Sequence, residues 1–228
     1  MTMQVGMVGT DGIVLASDTK QVQSTIGGVC SSFNASKIKI CQERGIAISC
    51  ARNMETATLV AKNIILGLGD SQMESPIALI ENIAKKVIDD PGCRNDVHCL
   101  IVLLRPRPRL IRVRTIGGEI TCDDDITGKV VAGDIENAGI FWSEMYYERR
   151  PIKHLARVAA QLVVMAGKIS SGNVGGLEVV LCDASGFRRL SADSNARLES
   201  TVNQMDETIR KSFTSYDGQF TYATDMIS

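Results

Sequence analysis

Residues 1–18 read MTMQVGMVGTDGIVLASD, two short apolar runs on either side of Thr10-Asp11-Gly12. Each run, 3–9 and 12–18, has strand length, and Asp-Gly between them is a hairpin turn signal. The strand pattern begins directly after Thr2, with almost nothing in front of it. A looser, Gly-containing stretch follows. A second strand pair is then expected at 37–41 (KIKIC) and 45–51 (GIAISCA), around Gln42-Glu43-Arg44.

Beyond residue 51 the period changes. Segments 54–66 and 76–88 carry apolar residues at three- and four-residue spacing and are expected to be helices, with Gly67, Gly69 and Asp70 separating them. Strand-like runs return at HCLIVLL and LIRVRTI, which flank the turn RPRPR, and continue in EITCD and GKVVAGD. Two more helices are expected at 136–148 and 152–168, then strands GLEVVLCD and GFRRLSA, then a polar amphipathic helix over 195–213. Strand pairs joined by hairpins imply antiparallel sheets, and helices arriving in pairs must cover their outer faces. The expected fold class is α+β, a four-layer αββα sandwich built by one domain spanning 1–228. A doubly wound parallel sheet would alternate single helices with single strands, and that order is not seen.

Composition removes several function classes. Lys and Arg total 25 against 26 Asp and Glu, a net charge of -1 that gives no global pull toward nucleic acid or an anionic membrane. No apolar run approaches the roughly 20 residues that span a bilayer, and no secretory signal pattern opens the chain. The seven cysteines are odd in number and sit mostly in strand-like apolar runs, so a reducing, cytoplasmic location is expected. Cys93, His98 and Cys99 lack a second ligand pair at metal-site spacing, so no metal is expected. The basic run 105–109 has no interleaved aromatics and reads as a solvated turn, as does Asp123-Asp124-Asp125. The glycines form no phosphate-binding loop, and no cofactor is expected.

The opening hairpin, ending in Asp18-Thr19-Lys20, together with SKIKI at 36–40 and the element order, resembles the proteasome β-subunit family of N-terminal nucleophile hydrolases, including HslV-like bacterial peptidases. The first twenty residues carry the most specific part of this resemblance. It implies a threonine-type endopeptidase in which Thr2, exposed by removal of Met1, is the nucleophile, Asp18 the orienting carboxylate and Lys37 the charge partner. Strand alternation places Lys37 and Lys39 on one face and does not choose between them; the family pattern favours Lys37.

The chemistry stands on general grounds. A threonine hydroxyl is a weak nucleophile until a base removes its proton. A free α-amine on the same residue, with a reference pKa of about 7.7–8.0, can be that base near neutral pH. A neighbouring ammonium disfavours the protonated amine and favours the alkoxide, and a carboxylate holds the lysine in place.

Three positions depart from the family pattern. Ala51 stands where the family has the glycine whose backbone N–H helps bind the oxyanion; a backbone donor survives this exchange where φ is negative. Asp134 stands where the family places a serine near the terminal amine, and it also suits a helix N-cap. The family has an aspartate and then a serine before a Gly-Gly pair; here Ser170 and Ser171 precede Gly175-Gly176 with no aspartate at the matching place, and Ser171 is the best carry-over, in a register loose by about three residues. The resemblance further implies stacked homo-oligomeric rings, unfolded protein or peptide as substrate, and service by an ATP-dependent unfoldase. The alternatives are a catalytically silent ring subunit and a small-molecule amidase using the same nucleophile.

Overall fold

The computed structural model describes residues 2–24, 30–68, 75–93, 96–124, 127–133 and 136–214. Met1, Gly69, Asp70, Asp125 and Asp134 therefore lie outside the described residues.

The chain forms a four-layer αββα sandwich, as expected from the strand-pair and helix-pair order. Strands β1 (Met3–Val8) and β2 (Gly12–Ser17) form the predicted hairpin, with Gln4 opposite Ser17 and Val8 opposite Ile13. They sit at the centre of a five-stranded sheet ordered β10 (Lys129–Gly133), β1, β2, β11 (Glu178–Asp183) and β12 (Gly186–Arg189). The second sheet runs in sequence order: β5 (Ile38–Cys41), β6 (Ile46–Arg52), β7 (Val97–Leu103), β8 (Arg109–Ile116) and β9 (Glu119–Asp124). All pairings are antiparallel.

Alternation along each strand splits its side chains between two cores. On the first sheet, Met3, Val5, Met7, Val14 and Ala16 face outward onto α4 (Ile152–Ile169) and its neighbours α3 (Glu136–Tyr146) and α5 (Ala192–Thr214). On the second, Ile46, Ile48, Cys99 and Ile101 face α1 (Met54–Gly67) and α2 (Ile77–Ile88). The inner faces meet through Ile13, Leu15, Leu100, Val102 and Leu110. Gly6 permits their close approach, because a Cβ there would stand 2.8 Å from Leu110 Cδ1.

The first hairpin is also tied at its tip. Asp11 Oδ1 accepts from the Ile152 N–H at the start of α4, 2.7 Å away, and Tyr147 Oη donates to the Val8 carbonyl at 2.9 Å. These bonds satisfy a helix-start donor and fix the hairpin against the outer helical layer. The other end of the hairpin, at Thr2 and Asp18, is left to form the site.

Two local readings are corrected. The stretch expected to be loose contains a two-stranded ribbon, β3 (Lys20–Ser24) and β4 (Cys30–Asn34). Residues 31–34 are exposed, so the ribbon has no buried face to impose an apolar alternation on the sequence. The last helix starts at Ala192 and not at 195, where Ser191 Oγ accepts from the Ser194 N–H at 3.2 Å and caps its first turn.

Candidate active site

Thr2, Asp18 and Lys37 are brought together by the pairing of three segments. β1 starts directly after Thr2, β2 ends directly before Asp18, and Lys37 directly precedes β5 in the other sheet. Register does the first part of the work: the Asp18 N–H donates to the Met3 carbonyl at 3.0 Å, and the Met3 N–H donates to Asp18 Oδ1 at 2.9 Å. A carboxylate is thereby held beside the residue that follows Thr2. Lys37 Nζ then donates to both Asp18 oxygens at 2.9 Å and to Thr2 Oγ1 at 3.0 Å.

Asp18 and Lys37 are fully buried, and Thr2 is 2% exposed. A buried ammonium is tolerable only when paired and hydrogen-bonded, which the two-oxygen contact with Asp18 provides. Burial pushes the Asp18 carboxyl above its ordinary range; the Lys37 ammonium, its hydrogen bond, and the backbone of Met3 and Gly175 pull it back. Lys39 is half-buried and makes no hydrogen bond to Thr2 or Asp18. Of the two lysines that alternation leaves open, Lys37 is the one that the geometry brings to the hydroxyl.

Gly133 closes the site from the far side of β1. It pairs with Met3 at φ +136°, and a Cβ there would lie 1.9 Å from the Thr2 carbonyl oxygen. Only glycine allows the end of β10 to lie against Thr2. Asp134, the next residue, is outside the described residues.

Ala51 is buried near the end of β6, opposite His98. Arg52 follows at φ +70°, and Asn53 then caps α1 by accepting from the Thr56 N–H at 2.9 Å. Ser171 is exposed and makes no hydrogen bond to Thr2, Asp18 or Lys37; its carbonyl accepts from Lys20 Nζ at 2.7 Å. Val174, buried, is the residue directly before Gly175-Gly176. Beside Lys37, a cleft of about 370 Å3 is lined by Lys20, Val22, Phe33, Arg52 and Met54.

One contributor was missed by sequence reasoning. Glu178, 4% exposed at the start of β11, accepts from the Lys37 N–H at 3.1 Å and from Ser36 Oγ at 2.8 Å. Arg189 on β12 pairs with the same carboxylate, donates to Ser36 Oγ at 2.6 Å and donates to the Ile38 carbonyl at 2.8 Å. Glu178 thus pins the backbone that carries Lys37. The signal was present as an acid inside the otherwise apolar run GLEVVLCD. Glu178→Ala is expected to destabilise the fold by about 1–3 kcal/mol, the cost of leaving buried donors such as the Lys37 N–H unsatisfied, with Arg189 partly wet. Glu178→Gln, which keeps an acceptor, should lose less. Urea titration of the two variants checks the order.

Behind the site, on the inner faces of the sheets, Gln4 Oε1, Ser49 Oγ and His98 Nε2 are buried without hydrogen-bond partners among the described residues. Burial, reinforced by Arg112, Arg114 and Arg52, lowers the His98 pKa to about 3. An unfolded histidine protonates near 6.5, so between that pH and about 3 the unfolded state binds a proton that the native state refuses. Stability contributed by neutral His98 is therefore present above 6.5 and falls as the pH drops toward 3, at up to about 1.4 kcal/mol per pH unit. Urea midpoints should show a steeper decline from pH 7 to 5 in the natural chain than in His98→Asn.

The architecture is a proteasome-like αββα fold. Among solved structures the chain is similar to Anbu, described as an ancestral beta-subunit, from Yersinia bercovieri, with a TM-score of 0.74 and 14% identity over 95% of this chain and 98% of that one. It is also similar to Anbu from Hyphomicrobium sp. strain MC1, with a TM-score of 0.70 and 14% identity over 95% and 98%. The Gly-1 mutant of that protein gives 0.70 and 16% over 96% and 99%. At these identities the likeness is one of fold. No protein-family model and no curated protein matches the chain.

Proposed function

We propose that the chain is a threonine-type endopeptidase acting on unfolded protein or peptide, with Thr2 as its nucleophile once Met1 is removed. The observation that carries this reading is the 3.0 Å contact between Lys37 Nζ and Thr2 Oγ1, with Lys37 held by both oxygens of Asp18. The Thr2 α-amine takes the hydroxyl proton, directly or through one water, as Oγ1 attacks the scissile carbonyl. Lys37 supplies positive charge where alkoxide character develops, and Asp18 fixes it in place. The ammonium returns the proton to the leaving amine, and water then releases the acyl group from Thr2.

Ala51 is proposed to offer its N–H to the oxyanion, and the cleft beside Lys37 to take the substrate side chain next to the scissile bond. Asp134 is proposed to assist at the amine. Ser171 is proposed to act at the substrate end of that cleft through Lys20, whose ammonium its carbonyl holds. The chain is further proposed to be a single-domain, cytoplasmic subunit that assembles into stacked homo-oligomeric rings and receives substrate from an ATP-dependent unfoldase; the fold shared with a protein described as an ancestral beta-subunit supports the subunit part of this reading. Among the described residues no helix is long and apolar enough to cross a membrane.

The reading is tested by comparing protein that begins at Thr2 with protein carrying a retained N-terminal extension. Only the first is expected to hydrolyse fluorogenic peptides, because only it has the amine. Equal turnover by both would overturn the proposed mechanism. Gel filtration of the same samples reports assembly, and elution at subunit mass would contradict the ring.

A further inference from the structure

Away from Thr2, α4, α5 and β12 enclose an open groove of about 680 Å3. Lys153 and Arg157 reach it from α4, Arg188 from β12 and Arg197 from α5, and among the described residues no acidic side chain lines it. All four are exposed, and none makes an ion pair among the described residues. Several surface cations elsewhere are matched: Lys85 with Glu81, Arg109 with Asp124, Lys129 with Glu144 and Lys168 with Asp206. Asp183 feels the charge of Arg188 without forming an ion pair with it. Arg189 also borders the groove, but its guanidinium is committed to Glu178 and Ser36.

Four like charges on one concave surface repel one another and raise the local potential for an anion. Three of them are arginines, whose planar forks match carboxylates with two hydrogen bonds. The floor is apolar, formed by Ala156, Leu181, Leu190 and Leu198. A small inorganic anion would leave that floor unused. Among the described residues no aromatic side chain lines the groove to give a nucleobase a stacking platform. The first turn of α5 is already capped by Ser191, whose Oγ accepts from the Ser194 N–H.

We propose that this groove docks an acidic peptide segment of a partner protein, with carboxylates on the cationic rim and apolar side chains on the Leu181, Leu190 and Leu198 floor. It is a recruitment surface on the outer helical layer, separate from the Thr2 cleft. Its charge pattern selects segments in which acidic and aliphatic residues alternate.

The test is fluorescence anisotropy with a labelled synthetic peptide of alternating glutamate and leucine, made on Thr2→Ala protein so that the outcome is independent of the peptidase reading. Binding is expected, weakening as salt rises through the screening range. Arg157→Glu/Arg188→Glu should weaken it by at least about tenfold, roughly 1.4 kcal/mol. Lys62→Glu, an exposed cation on α1, should leave it unchanged. Circular dichroism verifies that each variant is folded, and Arg157→Ala/Arg188→Ala serves where the charge reversal is not. Undiminished affinity in the groove variants would overturn the proposal. So would equal binding of a glutamate-only peptide, or binding of inorganic tripolyphosphate without binding of the peptide.

Discussion

Thr2→Ala is expected to abolish peptide hydrolysis, lowering kcat by at least about 10³-fold, while leaving the fold intact. Alanine keeps the backbone position but removes the hydroxyl oxygen that Lys37 Nζ approaches at 3.0 Å. Binding of peptide in the adjacent cleft should persist, so the loss falls on kcat and not on KM. Thr2→Ser keeps the hydroxyl and the amine and should retain measurable turnover. The pair of variants separates a missing nucleophile from a disturbed site: if both lose activity equally, the hydroxyl is not what matters. Turnover of Thr2→Ala at the natural rate would place the chemistry elsewhere.

The second large effect concerns stability. Asp18→Asn leaves a fully buried Lys37 ammonium without its carboxylate. Breaking a buried pair on one side costs about 3–5 kcal/mol, because the remaining charge is stranded. Lys37→Met strands Asp18 in turn, although this carboxyl can relieve itself by taking up a proton, since burial already raises its pKa. Lys37→Met is therefore expected to cost less than Asp18→Asn. The double variant should recover much of the loss, as replacing both members of a buried pair often does. Urea denaturation of the four proteins gives the coupling energy directly. Additive losses would show that the two side chains act independently, against the 2.9 Å contacts.

Much of this architecture is legible in residues 1–51. Asp11-Gly12 between two apolar runs gives the first hairpin, and the switch to helical spacing after residue 51 gives the layer order. What remained hidden has physical causes. The β3–β4 ribbon buries no face at 31–34, so nothing constrains those residues to alternate. Alternation placed Lys37 and Lys39 alike because side-chain period does not say where a strand begins; Lys37 lies just before β5, and the Glu178 carboxylate holds its N–H. Ser171 is matched by motif register alone; it lies on the surface, and buried Val174 directly precedes the glycine pair. Glu178 and Arg189 are 141 and 152 residues from Lys37 in sequence when counted from the positions their bonds define (178 − 37 and 189 − 37), and only tertiary pairing brings them to it.

The measurement that bears most directly on the central claim is the intact mass of the protein before and after exposure to a peptide β-lactone, with the adduct located by fragmentation. The account predicts a chain lacking Met1 that gains one acyl group, esterified at Thr2. Met1 retained in a protein that still cleaves peptides, or an acyl group carried anywhere but Thr2, would contradict it.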